Sequence, residues 1–486
     1  MADQIIDLAP ALSALPPPPS SSLRHETQSL LRSGKAQVPI LVVLDDDPTG
    51  TQTCNDIIIL TAWDTPRLAA EFRATRPGSG FFILTNSRAL HPPQARALVT
   101  EICGNLRAAA AETGIPFEVV LRSDSTLRGH FPLEAEAAED VLGAADAWVL
   151  CPFFLQGGRY TIDDVHYVQE GGKLVPAAQT PFAKDATFGY QNSNLRDYVV
   201  EKSKGSIPRD QVTSISLETI RSGGTDAVLQ ELVTAVETIK RPVIVINAAA
   251  EEDMDVVVEA LLKASSGTAG KRFLYRTGAA FVSARLAIPG IDPISAEKLS
   301  LSGDRGGLII AGSYVPKTTA QLEALRTKSG DKLTSVVLDV RKLLQSPESA
   351  SGEVSAALKI AEDSIVRGQD VLVMTSRELI LGEDEAKSLD IGTVVAAALV
   401  SFLEQVKEKP RYVIAKGGIT SSDMATKGLR FKRATIVGQA APGVPLWRCD
   451  EPSAKWPGLP YVVFPGNVGS NETLFEVVKG WRVEKS

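Results

Sequence analysis

The chain has 486 residues, 44% of them hydrophobic and 22% charged, which is a globular composition too long for one ordinary core, so two domains are the default. A net charge of −7 with no basic tract argues against nucleic acid as a partner. No apolar run reaches the ~18–20 residues that cross a bilayer, which argues against a membrane partner.

Residues 1–37 read as a flexible lead, because Pro16–Pro19 and Ser20–Ser22 make a stiff and then a loose stretch. Met1–Ser22 lacks the basic start and long apolar run of a secretory signal. The four cysteines, Cys54, Cys103, Cys151 and Cys449, are far apart and form no CxxC. They read as free thiols in a reducing compartment, and the expectation is a cytoplasmic protein.

Pro39–Leu44 reads as a buried strand, and further strands are expected at Ile57–Leu60, Phe81–Thr85, Phe117–Arg122, Trp148–Phe154, Val212–Leu217 and Val243–Asn247. Helical patterns at Pro93–Thr113 and Pro132–Ala144 alternate with them, which argues for a parallel sheet with crossover helices. Tyr160–Pro176 alternates and carries Gly171-Gly172, so it reads as a hairpin or a flap. Pro289–Gly307 is rich in Ser, Gly, Asp and Pro and is the expected boundary between a domain over 38–289 and one over 306–486. In the second half, strands are expected at Leu308–Ala311, Ser335–Val340, Val371–Thr375, Tyr412–Ala415, Thr435–Val437 and Tyr461–Phe464. Helices are expected there at Lys317–Lys328, Glu353–Arg367, Ile391–Lys407 and Asn471–Lys479. The fold class is α/β, two domains with mostly parallel sheets.

Three loops of the first half follow strands. The first is Asp45-Asp46-Asp47-Pro48-Thr49-Gly50-Thr51, the second Thr85-Asn86-Ser87-Arg88, and the third Arg122-Ser123-Asp124-Ser125-Thr126-Leu127-Arg128-Gly129-His130. In a parallel sheet they open on one edge, where ligands bind. Acids, an amide, hydroxyls and arginines together fit a small, anionic, hydroxyl-rich ligand, since arginine forks a carboxylate and Asn, Asp and Ser take hydroxyls. Taken singly, the acidic loop is also a turn with Asp capping a helix, Ser125 and Thr126 are also caps, and Arg128 is a solvated charge. Histidines are few and form no ligand pair, so no protein-held metal is expected.

In the second half Ala311-Gly312-Ser313 and Lys416-Gly417-Gly418-Ile419-Thr420-Ser421-Ser422 each end a strand and open a helix. Pro442-Gly443-Val444 and Pro465-Gly466-Asn467-Val468-Gly469 add two glycine turns. Such junctions let backbone amides approach phosphate oxygens. Neither GxxxxGK[ST] nor a GxGxxG after the first strand occurs, which argues against a P-loop and a dinucleotide fold.

Two readings of the acidic loop compete. Asp45-x-Asp47-x-Thr49 fits the DxDxT loop of a haloacid-dehalogenase-type phosphatase, with Asp45 as nucleophile. That reading lacks a later paired-acid loop and leaves the glycine turns idle. The chain resembles the four-carbon acid sugar kinases far better, from about Pro39 to Lys479. The stretches that carry the resemblance are Asp45–Gly50, Thr85–Arg88, Ser123–Gly129, Cys151-Pro152-Phe153 with Gln156–Arg159, then Gly312-Ser313, Gly417–Ser421, Ala441–Pro445 and Gly466-Asn467. Three acids followed by Pro48, Pro465 before Gly466-Asn467, and Ile419 where an acid often sits place it in a divergent branch.

The resemblance implies an N-terminal domain for the sugar acid, a C-terminal domain for ATP, and a site in the cleft between them. It implies phosphorylation of the terminal hydroxyl of a four-carbon, oxo or branched sugar acid. By motif, Asp45, Asp46, Thr49, Gly50, Asn86, Ser87, Arg88, Ser123, Asp124, Ser125, Thr126, Arg128 and Gly129 would hold the acid. Ser313, Gly417, Gly418, Ile419, Thr420, Gly443, Gly466 and Asn467 would hold ATP. Asp46 or Asp124 would accept the proton of the attacking hydroxyl, and Mg²⁺ would bridge the phosphates with few protein ligands. A homodimer is left open, and so is a non-catalytic sugar-acid sensor, which would bind without consuming ATP.

Overall fold

The computed structural model describes residues 4–32, 38–266, 270–301, 303–312, 315–377 and 385–482, without the side chains of 385–390. The chain divides into two compact units. The first comprises Met1–Cys54 and Ala62–Gly290, the second Asn55–Thr61 and Ile291–Ser486.

The first unit is built on seven strands in the spatial order Val212–Ile215, Val243–Ile246, Ala147–Cys151, Phe273–Thr277, Phe117–Arg122, Ile40–Asp45 and Gly80–Leu84. The pairings are parallel throughout. Parallel strands are covered on both faces and therefore read as continuous apolar runs; all six residues of Ile40–Asp45 are buried. The longest crossover helix, Pro92–Thr113, starts with proline in its first turn and ends at Gly114 with φ 69°. It buries Ala95, Val99, Ile102, Cys103, Leu106 and Ala109, one face at helical spacing. Leu106→Ala there would cost about 2–5 kcal/mol.

The segment Tyr160–Pro176 forms three antiparallel strands, Arg159–Ile162, Val165–Glu170 and Lys173–Pro176. Asp163-Asp164, both at positive φ, make the first turn, and Gly171-Gly172 the second. Within the lead read as flexible, the described residues 4–32 form regular structure. Ile6–Asp7 adds an antiparallel strand against Lys173–Leu174, and the helix Ser22–Arg32 is held by Arg24, 2.8 Å from Asp255 and 3.6 Å from Glu251. Fixed ion pairs and strand pairing, neither visible in composition, tie it down.

The second unit carries eight strands in the order Ile57–Leu60, Arg433–Ala441, Val444–Arg448, Pro460–Phe464, Val413–Lys416, Leu308–Ala311, Asp370–Thr375 and Leu333–Leu338. The first three pairings are antiparallel and the remainder parallel. Ile57–Leu60 lies inside the range 38–289 that the composition gave to one domain, yet it pairs with Arg433–Ala441 in this unit. Trp481 closes the core, its indole N–H donating to the Ile294 carbonyl at 3.2 Å and its ring 5.3 Å from that of Tyr412, edge-on. No described helix is long and apolar enough to cross a membrane.

Candidate active site

In the first unit the register sets Asp45 opposite both Leu84 and Arg122, and Thr277 opposite both Arg122 and Cys151. Five neighbouring strands thus end level. The loops that follow Asp45, Leu84 and Arg122 leave from one edge, as the alternation of strands and helices requires.

The three loops are knitted by charge. Arg122 Nη1 lies 3.1 Å from Asp45 Oδ1 and 3.7 Å from Asp46 Oδ1. Arg88 reaches Asp46 at 3.0 Å, Asp47 at 3.3 Å and Asp124 at 3.8 Å. Arg128 Nε donates to Asp124 Oδ2 at 2.6 Å. Burial pushes the Asp45 carboxyl up to about 7 against the pull of Arg122, with Asp46 and Asp47 adding to the rise. Asp46 is raised for the same first reason, opposed by Arg88, Arg122 and Arg276. For Asp47 and Asp124 burial also pulls upward, but the arginines and the hydrogen bonds from Thr49 and Thr126 outweigh it and hold both below the usual carboxylate range.

Several expected ligand groups are engaged within the loops. Thr49 donates its N–H and hydroxyl to Asp47 Oδ1 at 2.8 and 2.5 Å. Gly50 packs against the Asp45 carboxylate so closely that no side chain fits. The Ser87 hydroxyl donates to Glu134 at 2.5 Å, and Thr126 donates to Asp124. Ser123 is buried with its N–H on the Thr277 carbonyl, and the Ser125 carbonyl contacts His166 Nε2 at 2.7 Å. Three groups lack a hydrogen-bond partner among the described residues. Asp46 Oδ2 and Asp45 Oδ2 are buried without a partner, and the half-buried Asn86 amide has none among the described residues. Gly129, at φ 126°, has its Cα where a Cβ would stand 3.2 Å from Asp46 Oδ2 and 2.9 Å from Arg276 Nη2.

Glu134, Arg159 and Arg276 belong to this neighbourhood and were not singled out by the sequence. Burial pushes Glu134 up to about 7, against Arg276. Of the three, only Arg159 left a signal, as the end of the Gln156–Arg159 stretch.

In the second unit Ala311, Lys416 and Phe464 end adjacent parallel strands in register, so the loops after them share an edge. Gly417, at φ 108°, turns the chain into the short helix Gly418–Asp423. A Cβ on Gly312 would stand 3.0 Å from Thr420 Oγ1, and one on Gly443 would stand 3.0 Å from Val468 Cγ1. Thr318 Oγ1 donates to the Gly466 carbonyl at 3.1 Å. The Lys416 ammonium donates to the Pro465 carbonyl and lies 4.3 Å from the Phe464 ring centre. Burial, helped by Lys317, pushes it down to about 7. Gly417, Gly418, Ile419, Thr420, Gly443, Gly466 and Asn467 thus belong to loops gathered at one edge, with Ile419 and Asn467 exposed. Ser313 lies outside the described residues. No cluster of three or more His, Cys, Asp or Glu among the described residues is arranged to hold a metal.

A sugar-binding N-terminal domain model matches residues 41–285, and a nucleotide-binding C-terminal domain model matches 308–474. The chain belongs to the four-carbon acid sugar kinase family. Among curated relatives, the D-erythronate kinase of Heliobacterium modesticaldum is 27% identical, over 74% of this chain and 75% of its own. The D-threonate kinase of Bordetella bronchiseptica is 24% identical, over 91% of this chain and 98% of its own. Solved structures with the same fold include a Salmonella typhimurium LT2 protein, TM-score 0.65 at 17% identity over 90% of this chain and 98% of that one. A Haemophilus influenzae protein has TM-score 0.60 at 17% identity, over 91% of this chain and 100% of that one. The two domain models coincide with the two glycine- and acid-bearing sheet edges, one in each unit.

Proposed function

We propose that the protein is an ATP-dependent kinase that phosphorylates the terminal hydroxyl of a four-carbon sugar acid, or a related oxo or branched one. The observation that carries this is the edge of the first unit's sheet, where the buried Asp46 carboxylate with a free oxygen, the Asn86 amide and arginines gather at the ends of five strands inside the sugar-binding match. The names of the two curated relatives support the substrate class.

ATP supplies the phosphoryl group, and the glycine loops after Ala311, Lys416 and Phe464 are assigned to its phosphates. Side chains of Leu399, Thr420 and Val468 pack against Gly312 and Gly443, and backbone amides at such strand-to-helix junctions suit phosphate oxygens. Mg²⁺ is assigned to the phosphates themselves, with few protein ligands. Phosphoryl transfer asks for positioning and charge neutralisation rather than covalent help. Asp46 is the proposed acceptor of the hydroxyl proton. Its Oδ2 is unpartnered and burial raises its carboxyl above the ordinary carboxylate range, which makes it a stronger base than a free aspartate. Asp124, clamped by Arg128, Arg88 and Thr126 and held low, is assigned to positioning. The phosphatase reading fares worse: Asp45 is fully buried, sealed by Gly50 and paired with Arg122, a poor setting for a nucleophile.

The test is an ATP-consumption screen of the full chain against C4–C6 aldonic and 3-oxo acids. ATP turnover dependent on one such acid, with a phosphorylated product, is expected. Binding of an acid without turnover would favour a sensor, and hydrolysis of phosphate esters without ATP a phosphatase.

A further inference from the structure

The cations at the edge of the first unit's sheet differ in how far they are committed. Arg88 is shared by three aspartates and Arg122 by two. Arg128 is bound by Asp124 at 2.6 Å, with Asp185 at 3.9 Å. Arg276 reaches the Arg128 carbonyl at 3.5 Å, and its charge steadies Asp46 and Glu134. Arg159 has nothing comparable. Its guanidinium makes no ion pair and no side-chain hydrogen bond among the described residues, and its Nε is buried and unpartnered.

An aromatic ring lies beside it, and the charges of Asp124 and Arg128 are nearby. Arg159 Cζ lies 5.6 Å from the centre of the Phe182 ring, and Arg128 Cζ lies 5.2 Å from the same centre. The shared ring brings Arg159 beside the Ser123–Gly129 loop. The backbone fixes its stem, since Phe154 and Arg159 exchange both N–H···O bonds across a tight turn, at 2.9 and 3.2 Å. A Cβ on Gly157 would stand 3.1 Å from Arg159 Nη1, so the glycine leaves room for the head group.

A half-buried guanidinium whose Nε is fully enclosed and which has no ion-pair partner among the described residues is costly to keep. Burial lowers its pKa, and the neighbouring Arg128 works in the same direction, while Asp124, already claimed by Arg128 and Arg88, offsets them in part. An aromatic ring supports a guanidinium and leaves N–H groups free to fork a carboxylate. We propose that Arg159 is the residue that receives the carboxylate of the acid substrate and sets the preference for acids over neutral polyols. This rests on the kinase reading above. It assigns Arg88 and Arg128 to holding the aspartates of the loops.

The test uses steady-state kinetics of the full chain with Arg159→Met and Arg159→Lys, on a four-carbon aldonic acid and on the matching four-carbon polyol, which lacks the carboxylate. Losing a charged hydrogen bond should raise KM for the acid by about 10–100-fold, less for Lys than for Met. KM for ATP and kcat/KM on the polyol should stay as in the wild type, so the acid-over-polyol preference collapses. An unchanged KM for the acid overturns the assignment, and so does an equal loss on acid, polyol and ATP, which marks a structural role. If Arg159→Met does not fold, Arg159→Lys carries the same comparison. Calorimetric titration of the acid separates the two proposals. If the wild type binds the acid without consuming ATP, the kinase reading fails, while weakened binding by the variants still supports Arg159 and equal binding overturns it. A wild type that neither binds nor phosphorylates any such acid overturns both.

Discussion

Gly129 and Asp46 are so placed that a Cβ on the glycine would stand 3.2 Å from the carboxylate's free oxygen. The glycine also holds φ 126°, which L side chains rarely adopt. Gly129→Ala therefore acts twice. Thermal denaturation should show a loss of about 1–3 kcal/mol from the strained backbone, and turnover should fall because the methyl group crowds Asp46 Oδ2. Wild-type kcat in a destabilised Gly129→Ala would show that the free oxygen of Asp46 is not used in transfer.

Asp46→Asn keeps shape and removes the proposed base. Its kcat should drop by about 10²–10⁴, with KM for ATP little changed. Asp45→Asn should act mainly on stability, because Asp45 is sealed under Gly50 and paired with Arg122. Rapid quench with a labelled phosphate ester should trap no phosphorylated Asp45, and finding one would reinstate the phosphatase.

Glu134 makes stability pH-dependent in a definite direction. Its folded pKa, about 7, lies above the ordinary 4.5, so the folded protein holds a proton that the unfolded chain releases. Its contribution to stability is largest below pH 4.5 and declines as pH rises to about 7, by at most on the order of 3 kcal/mol. Asp45, raised to a similar value, adds a decline of the same sign. Glu134→Gln keeps an acceptor for Ser87 and removes the titration. Urea unfolding at pH 4.5 and 7.5 should show a smaller difference for the variant, and parallel values for both proteins would contradict the assignment.

Gly417 turns the chain at φ 108° between the end of its strand and the helix Gly418–Asp423. Gly417→Ala should displace the amides assigned to phosphate. An increase of about tenfold in KM for ATP is expected, the worth of about one hydrogen bond to a charged group. KM for the acid should not follow. A change in acid affinity alone would reverse the assignment of the two ligands to the two units.

Much of this is legible in the sequence. The apolar runs ending at Leu44, Leu84 and Leu121 are continuous because parallel strands are covered twice, and their common edge follows from topology. The same holds for the loops after Ala311 and Lys416. What stayed hidden depends on partners distant in sequence. Asp45 and Asp47 look alike in the chain, yet Arg122 and complete enclosure shape the first, while Thr49 and Arg88 shape the second. Val444–Arg448 was missed because Pro445 interrupts a short run. Residues 4–32 looked loose because nothing local announces that Arg24 meets Asp255 or that Ile6 pairs with Leu174. Arg159 looked ordinary because lacking a partner is a property of the surroundings.

The strand Ile57–Leu60 carries one more consequence. Ile57 pairs with Ile436, about 380 residues later, the kind of separation that slows folding. During synthesis this strand emerges long before the rest of its unit exists. It is tethered at Cys54 and Ala62 to the other unit, so the chain passes across the boundary three times rather than once. The two halves are stitched together, and a gene fragment beginning near Gly306 would leave Arg433–Ala441 with a bare edge, prone to pair with foreign strands. Such a protein is not easily assembled from, or cut back to, independent parts, and its duplication or loss in evolution is expected to involve the whole chain.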